Sequence, residues 1–154
     1  MIEEKMEKII KVLRKRHWTI GVMESCTGGA VANCITNIPG VSDVFGEGQV
    51  TYSIDSKIKA GVDRKIIEEF GVFSKETAEE MARKIKSDIG VGVTGNLNYP
   101  RKVFVAVRVG KKVESIKFKV ESKNKNKIKA RKEMKEQVVE KVVEMINEMV
   151  GVGL

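Results

Sequence analysis

The chain has 154 residues, 42% hydrophobic and only 5% aromatic, so one domain with a core of Val, Ile and Met is expected. Charged residues reach 32% but alternate with apolar segments too short to cross a bilayer, which argues against both a disordered chain and a membrane helix. The net charge of +8 is unevenly placed: residues 1 to 100 hold 14 basic and 14 acidic side chains, and 11 of the other 15 basic ones fall between Lys111 and Lys135. That segment reads first as a solvated, Lys-rich face of the kind thermophile proteins favour. No zinc-finger spacing, aromatic-rich strand motif or recognition helix accompanies it, so nothing marks a nucleic-acid module. Glu3, Glu4, Lys5 and Glu7 interrupt any apolar leader, and Cys26 and Cys34 make no disulfide framework. A reduced, cytoplasmic setting is expected.

In chain order, Ile2, Met6, Ile9, Ile10 and Leu13 recur at helical spacing and predict an amphipathic helix. Trp18, Ile20 and Val22 predict a short buried strand, followed by the polar turn Glu24 to Gly29 and an apolar helix from about Ala30 to Ile35, ended by Pro39 and Gly40. Val50 and Tyr52 are expected on a second strand. Asp63 reads as the cap of a helix burying Ile66, Ile67 and Phe70 and closed by Gly71. Ser74 reads as the cap of another, with Ala78, Met81, Ala82 and Ile85 inward. Ile89 to Val93 predicts a strand leading to Thr94-Gly95-Asn96. Val103 to Val109 and Val113 to Val120 flank Gly110-Lys111-Lys112 as a β-hairpin, and a long helix buries Met134, Val138, Val142, Met145 and Met149. Helical units early and an antiparallel hairpin late indicate one layered α/β domain with a mixed sheet.

Gly90 to Gly95 spells G-x-G-x-x-G, but the first two glycines lie inside the expected strand and Pro100 leads to another strand. A dinucleotide fingerprint needs them in a turn that opens a helix, so this one is rejected. The only histidine, His17, precedes a buried strand and is expected on the surface. With one His, Ser-His-Asp catalysis and His-based zinc sites are excluded within one chain. The turn Glu24-Ser25-Cys26-Thr27-Gly28-Gly29 presents backbone N–H groups ahead of a helix, a setting for a phosphate or a developing oxyanion. Equally, Ser25 or Thr27 would serve as a simple cap, and Cys26 as a small buried hydrophobe or an alternative nucleophile.

The run Ile20 to Gly29, with its Glu-Ser-Cys-Thr-Gly-Gly core, resembles the signature of the CinA carboxy-terminal domain family. Val50-Thr-Tyr-Ser-Ile-Asp-Ser-Lys57, Gly61-Val62, Phe73-Ser74 and Val91-Gly-Val-Thr-Gly95 resemble further stretches of that family in the same order. The resemblance implies a three-layer α/β/α domain over residues 1–154, in the stand-alone form. It also implies nicotinamide-mononucleotide deamidase activity, which hydrolyses the carboxamide to nicotinate mononucleotide and ammonia. Ser25 would be the nucleophile, with Tyr52 and Lys57 as its proton-handling partners. Glu24, Thr27, Gly28, Gly29, Thr94 and Gly95 would line the substrate site. Arg131 and Lys135 fall on two arginines of a family motif and would contact the phosphate. No metal or cofactor is required, and a homo-oligomer with sites completed by a neighbour is compatible with the resemblance. The segment Asn96 to Pro100 is shorter than the family's glycine-rich loop and has lost its glycines. The alternative is therefore a domain that binds a nucleotide-like ligand or a protein partner without hydrolysis.

Overall fold

The amphipathic first segment folds as α1 (Ile2–Arg16) and buries Met6, Ile9, Ile10 and Leu13, as its spacing predicts. Glu3 and Glu4 open the helix and Arg14, Lys15 and Arg16 close it, each matched in sign to its end of the helix dipole. The computed structural model describes residues 1–151. After α1 come β1 (Ile20–Glu24), α2 (Ala30–Thr36), a 3-10 turn at Val41–Asp43, β2 (Phe45–Val50), α3 (Ile54–Lys59), α4 (Arg64–Phe70) and α5 (Lys75–Lys84). The chain continues with β3 (Ile89–Gly95), β4 (Lys102–Val109), β5 (Lys112–Lys119) and α6 (Lys127–Val150).

The five strands form one mixed sheet in the order β2-β1-β3-β4-β5. β1 runs parallel to both β2 and β3, whereas β3, β4 and β5 are successively antiparallel. Alternation along the strands sends Val22, Val91, Val93, Val103, Val105 and Val107 to one face, where they pack with the buried residues of α1, α2 and α6. Met23 faces the other way, against Met81 and Ile85, and Phe104 and Ala106 meet Ala78 and Ala82 of α5. Helices on both faces give the three layers that were expected.

Several boundaries differ from the sequence expectation. β1 begins at Ile20, and Trp18 instead lies under the Arg16 guanidinium, 5.1 Å from the ring centroid. β2 stops at Val50, so Tyr52 is not a strand residue. Ser53 then caps α3, a helix the apolar pattern does not announce, through a reciprocal box with Ser56. Thr94 and Gly95 belong to β3 rather than to the loop after it. Phe70 is exposed, because α4 is two turns long and buries only Ile67.

The rejected G-x-G has a packing explanation. Gly90 and Gly92 point toward α5, where an added Cβ would lie 2.3 Å from the Ala82 carbonyl oxygen and 2.1 Å from that of Ala78. Their missing side chains let the helix backbone rest on the strand, and it is this contact that the two glycines serve. Gly92→Ala is expected to force α5 off the sheet and to lower stability by roughly 3 kcal/mol, the upper range for an overpacked core, measurable by denaturant titration.

Candidate active site

The site lies at the carboxy-terminal ends of the parallel strands, where β1 passes between β2 and β3. Crevices at such a divergence are common binding places in α/β sheets. β1 delivers Glu24 and Ser25, the chain leaving β2 delivers Thr51 and Tyr52, and β3 ends at Gly95. A cavity of about 190 Å³ is lined there by Ser25, Cys26, Tyr52, Phe73, Gly95, Asn96, Leu97, Asn98 and Arg131.

Lys57 reaches Ser25 from the unforeseen helix α3. Its Nζ donates to Ser25 Oγ at 2.9 Å and to the Thr51 carbonyl at 2.7 Å, and the side chain is 1% exposed. Burial away from water pulls its pKa down from 10.5 to about 8, with no carboxylate among the described residues ion-paired to it. About a tenth of the lysine is thus neutral at pH 7 and about half at pH 8, and a neutral amine beside the serine hydroxyl can accept its proton. Thr51 Oγ1 is buried with no hydrogen-bond partner among the described residues. Cys26 is buried too, and desolvation pushes its thiol up to about 12, which leaves it protonated. Of the two adjacent candidates, only Ser25 has a base at hand.

Other expected residues take different places. The Tyr52 hydroxyl does not join the Ser25–Lys57 pair. The tyrosine is 60% exposed at the rim, its hydroxyl accepts from Arg131 Nη2 at 3.2 Å, and only its backbone carbonyl faces Ser25 Oγ, at 3.5 Å. Glu24 and Thr27, read from the sequence as substrate contacts, are turned inward. Thr27 Oγ1 donates to Glu24 Oε1 at 2.5 Å, and the Glu24 carboxylate accepts the Val31 and Ala32 N–H groups at 3.1 and 2.9 Å. The amino end of α2 is therefore filled by an internal carboxylate rather than left for a ligand. The Thr94 hydroxyl is likewise spent on the Val72 carbonyl at 3.0 Å.

Arg131 and Lys135 are separated. Arg131 lines the Ser25 cavity, whereas Lys135 lines a neighbouring cleft of about 380 Å³ with Asn33, Cys34 and Asn37. Lys135 Nζ packs over the turn, 3.3 Å from where a Gly28 Cβ would stand. Gly28 and Gly29 themselves adopt left-handed angles, φ 61° and 106°, which the tight reversal before α2 needs. Asn98, which bonds Arg131 Nη1 through Oδ1 at 2.8 Å, was not anticipated. The only signal for it in the sequence is the polar replacement of a glycine-rich loop. Among the described residues no group of three His, Cys, Asp or Glu side chains is placed to hold a metal, and no helix is long and apolar enough to cross a membrane.

A model of the CinA C-terminal domain matches residues 2–150. The chain belongs to that family. Among its relatives, a CinA-like protein of Kosmotoga olearia is 48% identical over 99 residues, covering 60% of this chain and 24% of the relative. A protein of Clostridioides difficile, provisionally described as competence-damage inducible, is 49% identical over 94 residues, covering 58% and 22%. The match thus spans about a quarter of those relatives' length. The solved structure of competence/damage inducible protein CihA from Agrobacterium tumefaciens superposes with a TM-score of 0.83 at 28% identity, over 94% of this chain and 93% of that one. A CinA superfamily protein of Klebsiella pneumoniae, 18% identical, shares the fold with a TM-score of 0.88 over 98% of each chain.

Two outcomes test how this CinA domain builds its site. Glu24→Gln turns an amide donor toward N–H groups that now meet a carboxylate, and should cost roughly 2 kcal/mol in chemical denaturation. Lys57→Met should change the pH dependence of stability. A depressed lysine pKa means that the unfolded chain binds more protons, so wild-type stability gains with pH from about 8 toward 10.5. The methionine variant should lack that part of the slope, which paired melts across this range will show.

Proposed function

We propose that the chain is an amidohydrolase of a linear carboxamide on a pyridine mononucleotide, converting nicotinamide mononucleotide and water to nicotinate mononucleotide and ammonia. The observation that carries the reading is the buried Ser25–Lys57 pair at 2.9 Å, with the lysine's proton affinity lowered by burial. Family membership and the resemblance of the Ser25, Tyr52 and Lys57 stretches support the choice of substrate.

In this mechanism neutral Lys57 takes the Ser25 proton as Oγ attacks the carboxamide carbon. The oxyanion falls to the turn amides of Cys26 and Thr27, which donate to no backbone carbonyl among the described residues. The Lys57 ammonium then protonates the departing nitrogen, and ammonia leaves an acyl-Ser25 ester. Water attacks that ester with Lys57 again accepting the proton, and the carboxylate product leaves Ser25 protonated. Tyr52 has no part in the proton path; with Arg131 it closes the mouth over the substrate.

Ammonia release from nicotinamide mononucleotide by the purified chain is the direct test. Ser25→Ala should abolish it while costing roughly 1–3 kcal/mol of stability, the scale of a hydrogen-bond partner removed from a buried amine. Lys57→Met should slow it by at least ~100-fold, the low end for a lost general base. The wild-type rate should rise with pH through about 8, as Lys57 loses its proton. Binding of the nucleotide with no ammonia released would instead favour a non-catalytic nucleotide-binding domain.

A further inference from the structure

Two segments far apart in sequence meet at the Ser25 cavity through Arg131. One guanidinium nitrogen donates to Asn98 Oδ1 at 2.8 Å and the other terminal one to the Tyr52 hydroxyl at 3.2 Å. The loop carrying Asn98 is itself braced. Leu97 is buried, Asn96 Oδ1 accepts the Asn98 and Tyr99 N–H groups at 2.8 and 3.3 Å, and Arg101 Nε donates to the Asn98 carbonyl at 3.2 Å.

A guanidinium is planar, so bonds from two of its nitrogens fix the plane and aim its remaining N–H groups. No ion pair with a carboxylate compensates Arg131 among the described residues, so its charge stays available to a ligand. Lys135, the other basic residue expected at a phosphate, belongs to the neighbouring cleft. Among the described residues that leaves Arg131 as the cation lining this cavity, and Asn98 as the loop group that orients it.

We propose that Asn98 is a positioning residue: by holding the Arg131 guanidinium at the Ser25 cavity, it makes that arginine the grip for the substrate's phosphate. It thereby sets the preference for a phosphorylated over an unphosphorylated pyridine riboside. This rests on reading the cavity as a pyridine-mononucleotide site. An ordered guanidinium meets a phosphate through paired, charge-assisted bonds, whereas an untethered one must first be immobilised.

The test is binding calorimetry in the Ser25→Ala background, so that turnover does not enter. The probes are nicotinamide mononucleotide and nicotinamide riboside. Adding Asn98→Ala should weaken the mononucleotide roughly tenfold and leave the riboside unmoved, as expected for loss of a hydrogen bond to a charged group. In a Ser25→Ala, Arg131→Ala protein, the same Asn98 change should have no further effect, because its action runs through the arginine. The proposal is overturned if Asn98→Ala leaves mononucleotide affinity intact, weakens both probes alike, or adds in full to Arg131→Ala. It is also overturned if the Ser25→Ala parent binds the mononucleotide no better than the riboside. Asn98-dependent binding in a protein whose wild type releases no ammonia retains the proposal and removes only the amidase chemistry.

Discussion

Lys57 is buried with no carboxylate ion-paired to it among the described residues, and much of the site is arranged around it. A lysine so placed is costly in its charged form, and its neighbours are a serine hydroxyl and one carbonyl rather than a carboxylate. The fold tolerates this because α3 is braced at its start by Ser53 and Ser56 and the Thr51 carbonyl accepts Nζ. A carboxylate in the same place would stabilise the ammonium and raise the pKa back toward its ordinary value.

Glu24, next to Ser25 in the chain, answers the opposite need. It is a fully buried acid, and it satisfies two helical N–H groups and a hydroxyl that would otherwise lie unpaired at the start of α2. By filling the helix end with an internal anion, it fixes the reversal that projects Ser25. The two buried ionisable groups are thus held differently: Glu24 bonds the backbone of the turn, and Lys57 presents an amine of lowered proton affinity to Ser25. The glycine contacts between β3 and α5 hold the opposite face of the sheet close, so that β3 ends beside Ser25 at a set height.

The rim is assembled from distant pieces. Arg131 on α6 links Tyr52, just before α3, to Asn98 in the loop after β3. Neither Arg131 nor Asn98 bonds Ser25 or Lys57, and Tyr52 meets Ser25 Oγ only through its backbone carbonyl, yet together the three shape the entrance to the pair. A basic segment that looks uniform along the sequence is therefore divided by the fold, with Arg131 in one cavity and Lys135 in the next.

Long periodic segments such as α1 and α6, and the hairpin β4–β5, were legible because apolar spacing records which face meets the core. Ser25, Tyr52 and Lys57 were singled out through their resemblance to family stretches, and the dinucleotide fingerprint was rejected from strand position alone. The helix α3 escaped because six residues are too few to show a helical period, and because Tyr52 continues the alternation of Val50 past the end of β2. Only tertiary structure decided that Lys57 meets Ser25 across 32 residues of sequence, that Glu24 and Thr27 turn inward, and that Tyr52 bonds Arg131 instead of the serine. Residue type and spacing fix what a side chain can donate or accept. Its proton affinity and its partner follow from burial and from which strand ends the sheet brings together, and those exist only once the chain has folded.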